Sequence, residues 1–370
     1  MKNNNPLRRF ALTIPMLLAV SLPAMAAEIH GKDPGIGSVA LGDLTLAKPN
    51  YSGVYNTAIG MYALFATTRG SHNTAIGYAA LQVNTTGSYN TASGRYALSK
   101  NTTGEKNTAT GHEALLNNTT GKLNTAGGYQ ALSQNTTGNL NTANGYRSLL
   151  NNTTGRSNTA TGHNALESNT TGKFNTVVGA FAGKTNIIGS SNVFIGYKAG
   201  IKEKGSQKLY IANSAKTPLV YGDFNKKTLK VNGKMYATKF ITSSDARLKT
   251  DIRALNNALD MVLSLQGKQY RLIDEAVNQT DIGLIAQDVE KILPQIVSQS
   301  EDGYKAIDYQ SLTAVLIEAM KEQQGQMITQ QHQIATLAKE NTELKALVEG
   351  QMDALLARVA MLEGVSLAAN

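Results

Sequence analysis

The strongest constraint on this chain is a period of 17 residues. Asn56, Asn73, Asn90, Asn107, Asn124, Asn141, Asn158, Asn175 and Asn192 follow one another at that spacing. A glycine stands four residues after each, from Gly60 and Gly77 to Gly196. Leu64, Leu81, Leu98, Leu115, Leu132, Leu149 and Leu166 keep the same step. The unit reads N-T-A-x-G-x-x-A-L-x-x-N-T-T-G-x-x in nine copies across residues 51–200. A repeat of this kind means that each unit is one rung, able to bury its apolar edge only against its neighbours.

Seventeen residues are too few for two packed helices and suit a rung with two short strands. Threonine favours strands. Each glycine permits a left-handed backbone at a turn, and asparagine is the next-best residue there. The Asn-Thr tracts read as stacked ladders. Ala and Leu supply a thin apolar edge. At about 4.8 Å per rung, nine rungs make a shaft of roughly 40 Å. The period fits a β-roll closed by one chain and equally a trimeric β-helix interleaved from three. The unit resembles the N-T-A-x-G-x-x-A-L repeats of bacterial and phage fibre proteins. It is similar more loosely to the head repeats of trimeric autotransporter adhesins, whose period is shorter.

In the last two copies the leucine gives way to Gly183 and Gly200. Residues 201–243 then read as a β-rich neck with strands at Lys208–Ala212, Pro218–Tyr221, Thr228–Val231 and Met235–Phe240. From Ser244 the pattern changes. Leu248, Ile252, Leu255, Leu259, Val262 and Leu265 predict a helix over 245–265. A strand is expected at Lys268–Ile273, a helix at Ala286–Leu293 stopped by Pro294, a strand at Tyr304–Tyr309, and a long helix from Gln310. Within that helix Ile334, Leu337, Asn341, Leu344 and Val348 alternate steps of three and four. A stutter leads on to Met352, Leu355, Val359 and Leu362. Residues 324–370 therefore read as a trimeric coiled coil, with Asn341 fixing register at a core position.

The N-terminus carries Lys2, Arg8 and Arg9, an apolar run from Ala11 to Leu22, and Ala24-Met25-Ala26. This is the pattern of a cleaved secretory signal over 1–26, followed by a short N-terminal segment, 27–50. It predicts a secreted or cell-surface protein with no transmembrane domain in the mature chain. The chain has no cysteine, so packing and oligomerisation must do the work of disulfides. Its net charge of +9 hides an asymmetry. Residues 27–243 hold 21 Lys and Arg against 8 acids, a net of +13. Residues 244–370 hold 11 against 18, a net of −7. A basic shaft suits anionic cell-surface glycans.

The block Ser244-Asp245-Ala246-Arg247-Leu248-Lys249 carries the sharpest chemical signal. A serine hydroxyl is a weak nucleophile until a base takes its proton. A lysine is that base only where burial or neighbouring positive charge favours its neutral form. Arg247 is a candidate neighbour, and Asp245 a candidate helix cap. A turn at Asp245 brings Lys249 back toward Ser244. Taken alone, a Ser and a Lys five residues apart also read as an ordinary helix start with a solvated lysine.

Ser-Asp-x-Arg-x-Lys resembles the opening of the peptidase S74 family, the intramolecular chaperones of phage tailspikes and fibres. Further similar blocks follow: Gly283 to Glu290, Leu293-Pro294, Asp302 to Tyr309, and Glu318 to Glu322. The resemblance covers about 242–323, giving an α+β chaperone over 244–323. It implies a homotrimer that guides assembly of the shaft and then cuts itself off. Ser244 would attack the carbonyl of Ser243, with Lys249 as general base and Asp245 and Arg247 in support. This is one self-directed cleavage, with no turnover of an external substrate. The resulting reading is a secreted trimeric fibre or adhesin-like protein.

Two alternatives are a phage-type tail fibre or receptor-binding protein, against which the signal argues, and a polysaccharide-degrading tailspike. The latter needs a carboxylate pair flanking one bond, yet Glu105, Glu113 and Glu167 sit at unequal repeat positions. No cofactor is implied. His30, His72, His112, His163 and His332 show no metal-ligand spacing. The glycines follow the repeat rather than a phosphate loop, and the scattered lysines read as a solvated face rather than a nucleic-acid track.

Overall fold

A computed structural model describes residues 37–273, 280–300 and 303–367, with side chains to residue 362. The expected signal, residues 1–26, lies outside the described residues. The chain divides between Lys239 and Phe240 into two compact units.

Each repeat folds as one rung, and its Thr-Ala-x segment is a three-residue strand. The strands are β1 (Val39–Leu41), β2 (Thr57–Ile59), β3 (Thr74–Ile76), β4 (Thr91–Ser93) and β5 (Thr108–Thr110). They continue as β6 (Thr125–Gly127), β7 (Thr142–Asn144), β8 (Thr159–Thr161), β9 (Thr176–Val178) and β10 (Val193–Ile195). All pair in parallel, each residue with its counterpart in the next rung, as Thr108 with Thr125. The first unit is thus a β-solenoid closed by a single chain, and not a β-helix interleaved from three. It has one strand per rung where two were expected. The Ala-Leu corner is a turn: Leu115 takes φ 51°, and its N–H donates to Ala131 O of the next rung at 3.0 Å.

Left-handed backbone therefore falls on bulky residues as well as glycine, at an ordinary cost of about 1–2 kcal/mol each. Burial offsets it: every repeat leucine from Leu64 to Leu166 has no exposed surface. The repeat asparagines do not take the turns. They are buried and form a ladder. Asn107 Oδ1 accepts from Asn124 N at 3.0 Å and Asn124 Nδ2 at 3.1 Å, while Asn107 Nδ2 donates to Gly121 O at 2.8 Å. The second asparagine of the unit makes a parallel ladder, as Asn118 Nδ2 to Asn101 Oδ1 at 2.7 Å. Its amide also reaches Gly121 O, at 3.0 Å. Both ladders thus converge on one carbonyl, and a Cβ on Gly121 would lie 2.3 Å from Asn118 Oδ1. The threonine between them donates Oγ1 to the next rung, as Thr119 to Thr136 O at 3.0 Å.

The shaft's end explains the drift in the repeat. Phe194 replaces the strand alanine, is fully buried, and fills the space of two leucines. A Cβ on Gly183 or Gly200 would lie 2.7 Å from its ring. Strand β11 (Lys208–Ile211) joins β10 in parallel; β12 (Val220–Asp223) and β13 (Thr228–Val231) follow antiparallel. Met235–Phe240 forms no strand. Tyr236 and Phe240 are 91% and 61% exposed, and a strand needs a partner to satisfy its backbone. In the cap, Lys208 Nζ meets Asp223 Oδ2 at 2.5 Å. Asp223 Oδ1 accepts from the backbone of Asn225 and Lys226.

In the second unit, β14 (Lys268–Tyr270) pairs antiparallel with β15 (Asp281–Gly283), and β16 (Val297–Gln299) with β17 (Lys305–Ile307). Helix α1 (Ala258–Ser264), α2 (Ala286–Glu290) and α3 (Tyr309–Leu367) complete it. The predicted helix 245–265 is realised only from Ala258. Its start is set by a distant residue: Glu322 accepts from Ala258 N at 3.1 Å and Leu259 N at 2.8 Å. The core joins Ala258, Val289, Leu293, Leu312, Val315 and Ala319. Beyond it the heptad stripe of α3 is uncovered, with Ile334, Leu344 and Leu355 at 65%, 56% and 56% exposed.

Two outcomes follow. Asn107→Ala removes the acceptor of the Asn124 backbone N–H and of one of its two side-chain N–H bonds, and should destabilise the shaft by about 1–3 kcal/mol in thermal or denaturant unfolding. The hydrogen bond from Lys208, followed by that from the Lys226 amide, holds the Asp223 carboxyl below its usual range. Its contribution is therefore present above the unfolded carboxylate's pKa and lost as pH falls through the lowered one. Asp223→Asn should melt earlier than wild type at neutral pH, and the gap should close in acid.

Candidate self-cleavage site

The segment that opens the second unit turns once around Asp245. Asp245 is extended (φ −64°, ψ 132°), and its carboxylate accepts from Arg247 N at 2.9 Å. This caps a single 3-10 turn, Ala246–Leu248, and Lys249 N closes it on Ala246 O at 3.0 Å. The chain then leaves in an extended conformation at Lys249. One turn is enough to reverse direction: Lys249 Nζ donates to Ser244 Oγ at 2.7 Å.

The two supporting residues bind each other. The Arg247 guanidinium is bound to Asp245, through Nη2 at 2.6 Å and Nε at 3.1 Å. That pairing holds the Asp245 carboxyl below its usual range. Arg247 is thus committed to the cap through Asp245. Every residue from Ser243 to Lys249 is exposed in the single chain. The arrangement sets the Ser244 hydroxyl and the Lys249 amine in contact, and both are exposed.

One contact ties this segment to α3, and two more order the start of α3 beside that contact; none was singled out from the sequence. Thr242 Oγ1 donates to Gln310 Oε1 at 2.8 Å, tying the chain two residues before Ser244 to the first turn of α3. Tyr309 Oη accepts from Leu284 N at 2.9 Å. A Cβ on Gly283 would lie 2.9 Å from that oxygen, which accounts for the glycine before Leu284. The Asp308 carboxylate caps α3 through Ser311 Oγ at 2.6 Å and Gln310 N at 3.0 Å. An Asp-x-x-Ser helix start is legible in sequence; the contacts across 25 and 68 residues are not.

The shaft's acids do not converge. Glu105 pairs with Lys122 at 3.1 Å, Glu113 accepts from Gln130, and Glu167 is held by Arg147, Lys184 and Asn164. Each has its own partners, and no two form a pair flanking a cleft.

Among the described residues no helix is long and apolar enough to cross a membrane. Residues 244–298 match the Peptidase_S74 family model, described as chaperone of endosialidase. Long tail fiber protein Gp37 of Salmonella phage S16 is 33% identical over 127 residues, 32% of this chain and 16% of the relative. The Gp37 proteins of Enterobacteria phages K3 and M1 are 36% and 39% identical over 104 and 87 residues, or 24% and 21% of this chain and 8% and 35% of the relatives. This chain thus spans a minor part of the length of the relatives it matches. No solved structure matches it. Across residues 244–298, directly after the solenoid and its cap, this chain carries a Peptidase_S74 domain, the chaperone of endosialidase.

Proposed function

We propose that the protein is a trimeric fibre of the phage tail-fibre type. Its solenoid is the shaft, and its C-terminal chaperone holds three chains in register and then releases itself. The carrying observation is a coincidence of place: the family match begins at Ser244, the residue whose hydroxyl contacts Lys249 Nζ at 2.7 Å. The relatives' names support a tail fibre. The leader-like residues 1–26 support an exported, surface-borne one. Both assign the shaft the same physical role.

In the cleavage, Ser244 Oγ attacks the carbonyl carbon of Ser243 while Lys249 takes the hydroxyl proton. The Ser244 amide nitrogen leaves with a proton, giving an ester that water hydrolyses. The products are residues 27–243 and 244–370. A lysine serves as base where burial favours its neutral form, and the dyad is exposed in one chain. Packing of the neighbouring chains supplies that burial, so assembly precedes cutting. The uncovered stripe of α3 provides the contact that gathers the chains, with Asn341 at a core position setting register.

Intact-mass and N-terminal analysis of the expressed full-length chain tests this. Wild type should yield a new terminus at Ser244. Ser244→Ala should stay whole, and Lys249→Ala should cut at least about 100-fold more slowly. Removing residues 324–370 should abolish trimer and cleavage together. A Ser244→Ala protein still split at this bond would refute the assignment.

The released shaft carries the basic share of the chain, +13 over residues 27–243. Repeated contacts along it give avidity for polyanionic glycans. Binding of the cut trimer to anionic glycan surfaces should fall steeply between about 0.1 and 1 M salt, as the Debye length shrinks from ~10 to ~3 Å. Equal binding to neutral glycans would sink the idea.

A further inference from the structure

An all-parallel sheet is stable when both of its faces are covered. In the shaft, the inner face of strands β1 to β10 is buried by Ala58, Ala75 and their counterparts through Val177 and Phe194. The outer face, made by the first and third residue of each strand, is bare in a single chain. At one end Val39, Leu41, Ile59 and Ile76 are 50%, 48%, 37% and 42% exposed; toward the other, Val178 and Ile195 are 43% and 42% exposed. Between them this face presents threonine, with serine, asparagine or glycine.

Charge distinguishes this face from the rest of the rung. No strand from β1 to β10 contains a charged residue. Other outward positions of the rungs hold Arg95, Lys100, Lys106, Lys122 and Arg147. Three parallel copies related by an axis along the solenoid bring the same rung of each copy together. A charge facing the axis would then meet its own copies, and like charges held close in a drying interface repel strongly. The face nearest the axis must therefore be uncharged along its whole length. The Asn-Thr-Thr edge is the other nearly neutral surface, but it carries Arg69 and has no apolar residue between Tyr51 and Ile187. Threonine also suits a close sheet contact, since its methyl packs while its hydroxyl bonds across or through water.

We infer that the outer face of the β1–β10 sheet is the surface on which the other two copies of this chain pack. The inference rests on the trimer reading and adds the surface that makes the trimer. It gives the uncharged strand positions a reason: they are the inside of the assembled fibre, and the basic residues are its outside.

The chain has no cysteine, so single cysteines in the full-length protein report the interface directly. Thr125→Cys and Thr142→Cys lie on the inferred face. Thr120→Cys lies on the Asn-Thr-Thr edge and Gln134→Cys on a further outward position. Each variant is treated with a short bismaleimide and read on a denaturing gel, with its native mass measured before treatment. The face variants should be captured as covalent dimers, the most that one thiol per chain allows, and the two controls should remain single chains. Loss of the trimer in the face variants alone would count the same way. Capture of Thr120→Cys or Gln134→Cys with Thr125→Cys unlinked would overturn the inference, as would a native trimer in which no variant links. A wild-type protein that is monomeric by native mass would instead refute the trimer reading beneath it.

Discussion

A 17-residue rung has no interior of its own, so its stability resides in what it hands to the next rung. The buried asparagine ladder is the main link. Asn107 takes two hydrogen bonds from Asn124 and gives one to Gly121 O. That carbonyl also receives Asn118. A buried amide without such partners costs several kcal/mol, whereas a fully bonded chain of them reinforces itself. The alanine and leucine columns are fully buried on the same condition. Everything else in the shaft, including its bulky residues in left-handed conformations, is tolerated because this stacking over-determines the backbone.

A structure of this kind must be closed at its ends. Phe194 takes the place of two side chains in the last rungs, and the sheet then turns antiparallel through β11, β12 and β13. The Lys208–Asp223 pair holds that turn, with the carboxylate also bonded to two backbone amides. The charged cap marks where the neutral strand pattern stops.

The second unit solves a different problem. Its compact core is small, and α3 continues far beyond it with an apolar stripe that one chain leaves exposed. Local helical contacts form faster than long-range sheet contacts, so in the proposed trimer the coiled coil would gather the chains before the shaft has packed. Under that same proposal, cutting the second unit away would make the shaft's persistence a matter of unfolding rate, since the free parts would lack the device that assembled them.

The period, the Asn-Thr ladders, the long terminal helix and the Ser244–Lys249 contact were legible because each is carried by residues close in sequence or repeated at one step. Other features were not. The nine copies did not give the full rung count, since β1 (Val39–Leu41) adds a tenth strand from outside the repeat. The expected second strand per rung is a turn, because Leu115 and its counterparts gain more from complete burial than they lose in a left-handed backbone. The expected strand at Met235–Phe240 has no partner to bond. Helix α1 begins at Ala258 and not near Asp245, because the carboxylate that caps it is Glu322, 64 residues away. Arg247 binds Asp245, two residues off, because a guanidinium fits a near carboxylate with two parallel hydrogen bonds. Sequence alone determined the spacing of the rungs and the approach of Lys249 to Ser244, both of which depend on local geometry. Tertiary structure decided that one chain closes each rung, where each helix starts and which face of the sheet is left bare, because those depend on contacts whose partners no local pattern reveals.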